Sequence, residues 1–178
     1  MANIDIEAPG SDEADLRVAL QAVLGNWRVL GASAVAVPLT GDTTETALAT
    51  VVIPAGAMGA NGALRVTTHS SHTNNANSKV LRYKLGSAGI AGTAMAVITV
   101  TTTASQVQQR IIQNRNSASS QVTAPLSATS PYGISTSALA TAAVDTSAEQ
   151  NLVITGDLAD AADTFTLESY LVEVLYRA

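Results

Sequence analysis

From Ser33 to the end of the chain, apolar residues recur at every second position in short runs rich in Val, Ile, Leu and Thr, with turn residues between the runs. A period of two is that of a strand with one face buried and the other in water. Runs near 33–39, 46–53, 63–69, 79–85, 94–102, 106–113, 120–126, 150–155 and 164–176 fit this pattern. The clearest is Leu81-Arg82-Tyr83-Lys84-Leu85, where charged and apolar side chains alternate. Pro54-Ala55-Gly56 closes one run, and Gly59-Ala60-Asn61-Gly62 opens the next with residues that accept positive φ. About eight strands so spaced predict an all-β fold, an antiparallel β-sandwich of jelly-roll-like type. The closing run, with Phe165, Leu167, Tyr170, Val172, Val174 and Tyr176, predicts a long, central final strand.

The opening residues follow another rule. Ile4 and Ile6 ahead of Pro9-Gly10 predict an extended arm. Ser11, followed by Asp12, Glu13 and Asp15, has the makings of a helix start, a capping hydroxyl with carboxylates at the positive end of the dipole. Leu16, Leu20, Val23, Leu24 and Trp27 then fall at i, i+4, i+7, i+8 and i+11, one apolar stripe at the helical period, and Gly25-Asn26 offers a stop. The expected organisation is an arm and one short N-terminal α-helix over residues 1–31, then a β domain over 32–178. Such a stripe packs either on its own domain or on another protein. An arm and helix set ahead of a β domain suit docking on a larger assembly. Ile4, Ile6, Leu16, Leu20, Val23, Leu24 and Trp27 are therefore the expected partner-anchoring residues.

Composition sharpens this picture. Hydrophobic residues make up 47% of the 178 residues but aromatics only 3%, so the core must be built from Ala, Val, Leu and Ile. Charged residues reach 13%, about half the usual share, which suits a surface covered in use. A net charge of −5 offers no electrostatic footprint for nucleic acid or an anionic membrane. The absence of cysteine excludes disulfides, thiol catalysis and Cys-ligated zinc. Met1 to Asp15 is acidic and without an apolar run, unlike a secretory signal. The charge-free stretch between Lys84 and Arg110 carries glycines and Thr alternating with Val and Ile, which reads as strand and not as a membrane span.

Candidate chemistry is sparse. His69 and His72 have no third metal ligand nearby in sequence. Asp157, Asp160 and Asp163 do not match the EF-hand pattern. Glu168 and Glu173, five apart on one strand, are expected on opposite faces and so not as an acid/base pair. No catalytic, cofactor or metal site is expected, and the chain is not expected to be an enzyme. The polar stretch from His72 to Ser78 makes His72, Asn74, Asn75 and Asn77 the candidate ligand or receptor loop. The excursion from Asn116 to Asp145, rich in Ser, Thr and Ala, is long for a loop and is expected either to be solvated or to lie against a partner.

Val52-Ile53-Pro54-Ala55-Gly56-Ala57-Met58-Gly59-Ala60-Asn61-Gly62-Ala63-Leu64-Arg65-Val66, followed by the Asn-rich loop and Lys79-Val80-Leu81-Arg82, resembles a recurrent virion module of tailed bacteriophages. Asp163 to Val174 resembles the closing strand of that module. The resemblance covers most of the β region and implies a trimeric jelly roll serving as capsid decoration, head fibre, or tail-fibre or receptor-binding tip. It carries over no catalytic residue. The expected protein is a virion component assembled in the host cytoplasm, a capsid decoration or head-fibre protein. Its expected partners are a major capsid protein or fibre base and two further copies of itself, with neither nucleic acid nor membrane. The alternative is a receptor-binding domain that recognises a host-surface glycan.

Overall fold

The computed structural model describes residues 27–129 and 133–178. The arm and helix expected over Ile4, Ile6, Leu16, Leu20, Val23 and Leu24 lie outside these residues. Among the described residues the chain forms eleven strands and one short 3-10 turn at Gly89–Ala91. The first six strands are β1 (Arg28–Ser33), β2 (Val37–Thr40), β3 (Thr46–Ile53), β4 (Ala63–His72), β5 (Lys79–Gly86) and β6 (Thr93–Val100). The remainder are β7 (Ser105–Asn114), β8 (Gln121–Thr123), β9 (Ala140–Ala142), β10 (Gln150–Leu158) and β11 (Thr164–Leu175).

They form two antiparallel sheets. Sheet A has the order β1-β11-β4-β7-β8-β9, with β2 also paired to β11; sheet B has the order β3-β10-β5-β6. The chain changes sheet at most of its connections, so neighbours in sequence are seldom neighbours in a sheet. The final strand does lie centrally, between β1 and β4, as its long apolar alternation predicts.

The core sits between the sheets. Leu64, Val66, Ile112, Phe165, Val172 and Val174 from sheet A meet Ile53, Leu81, Tyr83, Leu85, Ile98, Leu152 and Ile154 from sheet B. Aliphatic side chains supply nearly all of it, as the shortage of aromatics requires. Gly62 marks the tightest backbone approach, because a Cβ there would lie 1.9 Å from the carbonyl oxygen of Met58 and 2.2 Å from that of Leu175. Gly59, at φ +65, lets the same turn reverse under the C-terminal residues. Asn61 and Gly62, expected to accept positive φ, do not take it up: Gly62 is required by close contact, and positive φ falls at Gly56 and Gly59 instead.

Candidate functional site

Three surfaces carry the residues singled out by sequence. The first is the sheet end where the β4–β5 and β10–β11 connections meet. His72 closes β4 and is 8% exposed, stacked on Phe165 with ring centroids 6.0 Å apart. Its Nδ1 lies 2.7 Å from the carbonyl oxygen of Thr103, which can only accept, so Nδ1 carries the proton. Burial is the main cause that lowers its pKa, and nearby Lys79 adds to the effect, while the Thr103 hydrogen bond opposes it. His72 is therefore a core residue and not part of a ligand loop. His69, three positions earlier on the same strand, is exposed and hydrogen-bonds Ser169, so strand alternation sends the two rings to opposite faces.

The asparagines of the loop are used internally. Asn75 donates to Asp163 at 2.5 Å and accepts from the Lys79 ammonium and the Asn77 amide. Asn77 donates to Asp160, and its carbonyl oxygen accepts from Lys79 at 2.8 Å. Lys79 is fully buried and lies 3.8 Å from an equally enclosed Asp163. Burial explains this density of contacts, because a buried ammonium must have its donors satisfied. Of the four candidate loop residues, only Asn74 faces outward. The expected loop is thus a lock between two connections, and Asp157 stands apart from it, paired with Arg82 at 3.0 Å. No three His, Asp or Glu converge as metal ligands among the described residues.

The second surface is the excursion after β7. Sequence alternation does not reveal that the side chains of β7 facing the core include Gln108, Arg110 and Asn114. Arg110 is 1% exposed and donates to the carbonyl oxygens of Pro125, Leu126 and Ala128 at 3.2, 3.5 and 2.8 Å. Burial pulls its pKa down, opposed by Tyr83 beneath it. Gln108 holds Thr129, Asn114 holds Gly59 and Thr146, and Gln121 holds Asn114, Ala118 and Val144. These side chains replace the backbone partners that an irregular segment lacks. The excursion is packed in part: it adds β8 and β9 to sheet A, and Leu126 accepts from the Val97 amide of sheet B. Within it, residues 133–139 are exposed, Ile134 and Leu139 among them.

The third surface is the outward face of sheet A. Arg65 on β4 donates from Nε and Nη2 to both oxygens of Glu173 on β11, at 2.7 and 2.9 Å. The ring of Trp27 lies over this guanidinium, 4.4 Å from its carbon. Trp27 is thus the one expected anchoring residue the structure describes, and it rests on its own domain. Glu168 accepts from Ser71, while the irregularity between Leu167 and Ser169 resets the alternation that separates it from Glu173 in sequence. The outward face of sheet B differs in kind: Glu45, Arg82, Lys84 and Asp157 form ion pairs at 3.0 to 3.8 Å.

No protein-family model matches the chain, and no curated protein is similar to it in sequence. Among solved structures it is similar to a chain of the infectious bursal disease virus Gx strain, at 11% identity and a TM-score of 0.24. The match covers 85% of this chain and 42% of the virus chain. So remote a likeness fixes neither fold nor function. No helix among the described residues is long and apolar enough to cross a membrane.

Proposed function

We propose that the protein is a structural component of a virus particle, a capsid decoration or head-fibre protein of a tailed bacteriophage, held to the shell through its N-terminal segment. The observation that carries this proposal is the strand order. Read in space, β1/β2-β11-β4-β7 faces β3-β10-β5-β6. This order supports a jelly-roll reading of the two sheets, two Greek keys folded on each other, with β8 and β9 as an added edge. The order agrees with the module that the Ile53-Pro54-Ala55-Gly56 and Leu64-Arg65-Val66 segments resemble. A low charge density and polar residues committed to internal locks suit a scaffold rather than a catalyst. In the particle the protein would stand as a homotrimer on a major capsid protein or fibre base.

The glycan-binding alternative gains no support from the Asn-rich loop, whose Asn75 and Asn77 are already paired. Immunogold labelling of intact particles with an antibody to residues 27–178 tests the proposal. Label over the head is expected, whereas label confined to the tail tip would favour host recognition, and particles without label would end both. A deletion meant to remove the anchor alone should stop at residue 26, because β1 begins at Arg28 and pairs with β11.

A further inference from the structure

Four buried side-chain atoms at adjacent positions of sheet A have no hydrogen-bond partner among the described residues: Oγ of Ser70, Nε2 of His72, and both Nε2 and Oε1 of Gln106. Ser70 and His72 lie two apart on β4, so they share a face. Gln106 on β7 stands directly opposite Ser70 in the pairing of the two strands, and residues so paired point to the same side. Ser70 is 2% exposed and His72 8%, so that side is the interior of the sandwich.

Neighbouring side chains do not satisfy these atoms. On the other side of β4, β11 sets buried Phe165 opposite His72 and buried Leu167 opposite Ser70, and neither offers a polar group. The Thr103 carbonyl engages only Nδ1 of His72. Gln108, next on the same face of β7, gives its amide to Thr129. A buried donor or acceptor left unpaired costs its full desolvation, so the cluster calls for a partner from outside the chain. The chemistry of the cluster limits that partner. Because Nδ1 of His72 carries the ring proton, Nε2 can only accept, while the Ser70 hydroxyl and the Gln106 amide each donate and accept. A cation is disfavoured by the buried Lys79 ammonium, which acts on the same ring. An anion would meet the lone pairs of Nε2 and of the Gln106 oxygen. The partner is therefore small, uncharged, and both donor and acceptor.

We propose that Ser70, His72 and Gln106 form an internal hydration site, in which water donates to Nε2 of His72 and links β4 to β7 through the Ser70 hydroxyl and the Gln106 amide. Water meets every condition above, and buried waters make about three hydrogen bonds to polar groups that a protein leaves unpaired. The site lies beside the connection from β6 to β7, whose Thr103 and Ala104 carbonyls accept from the ring and the backbone amide of His72. Exchange of the water with solvent then requires that connection to open. The inference rests on the interior of the domain and is independent of the virion assignment.

A crystal structure of the full chain that shows ordered water is the test. A water within about 3.2 Å of Nε2 of His72, and equally close to Ser70 or Gln106, is expected. Direct hydrogen bonds among the three side chains with no water between them would overturn the proposal. So would a metal ion at about 2.0–2.1 Å from Nε2. Ser70→Ala with Gln106→Met, which keeps bulk and removes the polar atoms, is expected to lose that water, and a water retained in the double variant would take both residues out of the site. Should the double variant fail to fold, the unsubstituted chain in solution supplies a second measurement. Magnetisation transfer in NMR from water to the carbon-bound ring protons of His72 is expected to exceed that to the ring of exposed His69 at least about tenfold, because an enclosed water stays while surface water leaves. Equal transfer to the two rings would sink the hydration site.

Discussion

Lys79 and Asp163 face each other at 3.8 Å, both enclosed, and tie the start of β5 to the start of β11. Taking two charges out of water costs several kcal/mol, which Asn75 and Asn77 offset by satisfying the ammonium. Removing one partner strands the other charge. Asp163→Leu or Lys79→Met is expected to destabilise the protein by about 3–5 kcal/mol. The double substitution Lys79→Met with Asp163→Leu should cost much less than the sum. Urea denaturation of the four proteins gives the coupling energy, and additive losses would show that the pair does not act as a unit.

Arg110 is expected to control the segment 124–129 rather than the whole fold. Arg110→Met leaves the carbonyl of Ala128 without its donor, at about 1–3 kcal/mol for a buried group left unpaired, while that of Pro125 keeps the Ala128 amide. The Val97 amide, which donates to Leu126 beside this contact, should then exchange with solvent at least tenfold faster. Core amides such as that of Ile154 should change less. Uniform acceleration across both sheets would refute a local role.

How far sequence reaches differs from strand to strand. The run at 46–53 coincides with β3, and that at 79–85 differs from β5 by one residue, because each keeps its alternation and ends in turn residues. The strand β1 was not expected, since Arg28 to Ser33 directly follows a helical stripe and gains strand structure only by pairing with β11. Ala140–Ala142 is too short to have a period, and it is a strand because β8 lies beside it. In β7 the rule inverts: alternation assigns Val107 and Ile111 inward, yet Arg110 faces the core, because the following excursion supplies carbonyls for it to hold. The candidate loop shows the same limit. Polarity predicts solvent, and only the three-dimensional meeting of Asn75, Lys79 and Asp163 shows that these polar groups satisfy one another.

Tyr83 should make the protein alkali-sensitive in a defined window. Burial pushes its phenol up to about 12, against opposing effects of the Thr68 hydrogen bond and the Arg110 charge. The folded state holds its proton more tightly than the unfolded state. The contribution is therefore complete below pH 10 and is lost as pH rises through 12, a difference of about 3 kcal/mol. Denaturation midpoints between pH 9 and 12 should fall, and Tyr83→Phe should flatten that fall while losing the 2.7 Å bond to Thr68. Equal slopes in the two proteins would remove Tyr83 as the cause.

His72 should act at the opposite end of the pH scale. Its ring is buried against Phe165, its protonated Nδ1 faces Thr103, and Nε2 has no hydrogen-bond partner among the described residues. A second proton would place a charge on that enclosed nitrogen near Lys79, so the pKa lies below the ordinary 6.5. The unfolded chain then binds more protons than the folded one between these two pKa values. Stability from this group is complete above pH 6.5 and is lost as pH falls toward the folded value. The ring protons of His72 should titrate in NMR with a midpoint below 6.5. His72→Gln, which keeps a donor for Thr103, should weaken the loss of stability between pH 7.5 and 5.5, and a variant with the parent's pH slope would assign that loss elsewhere.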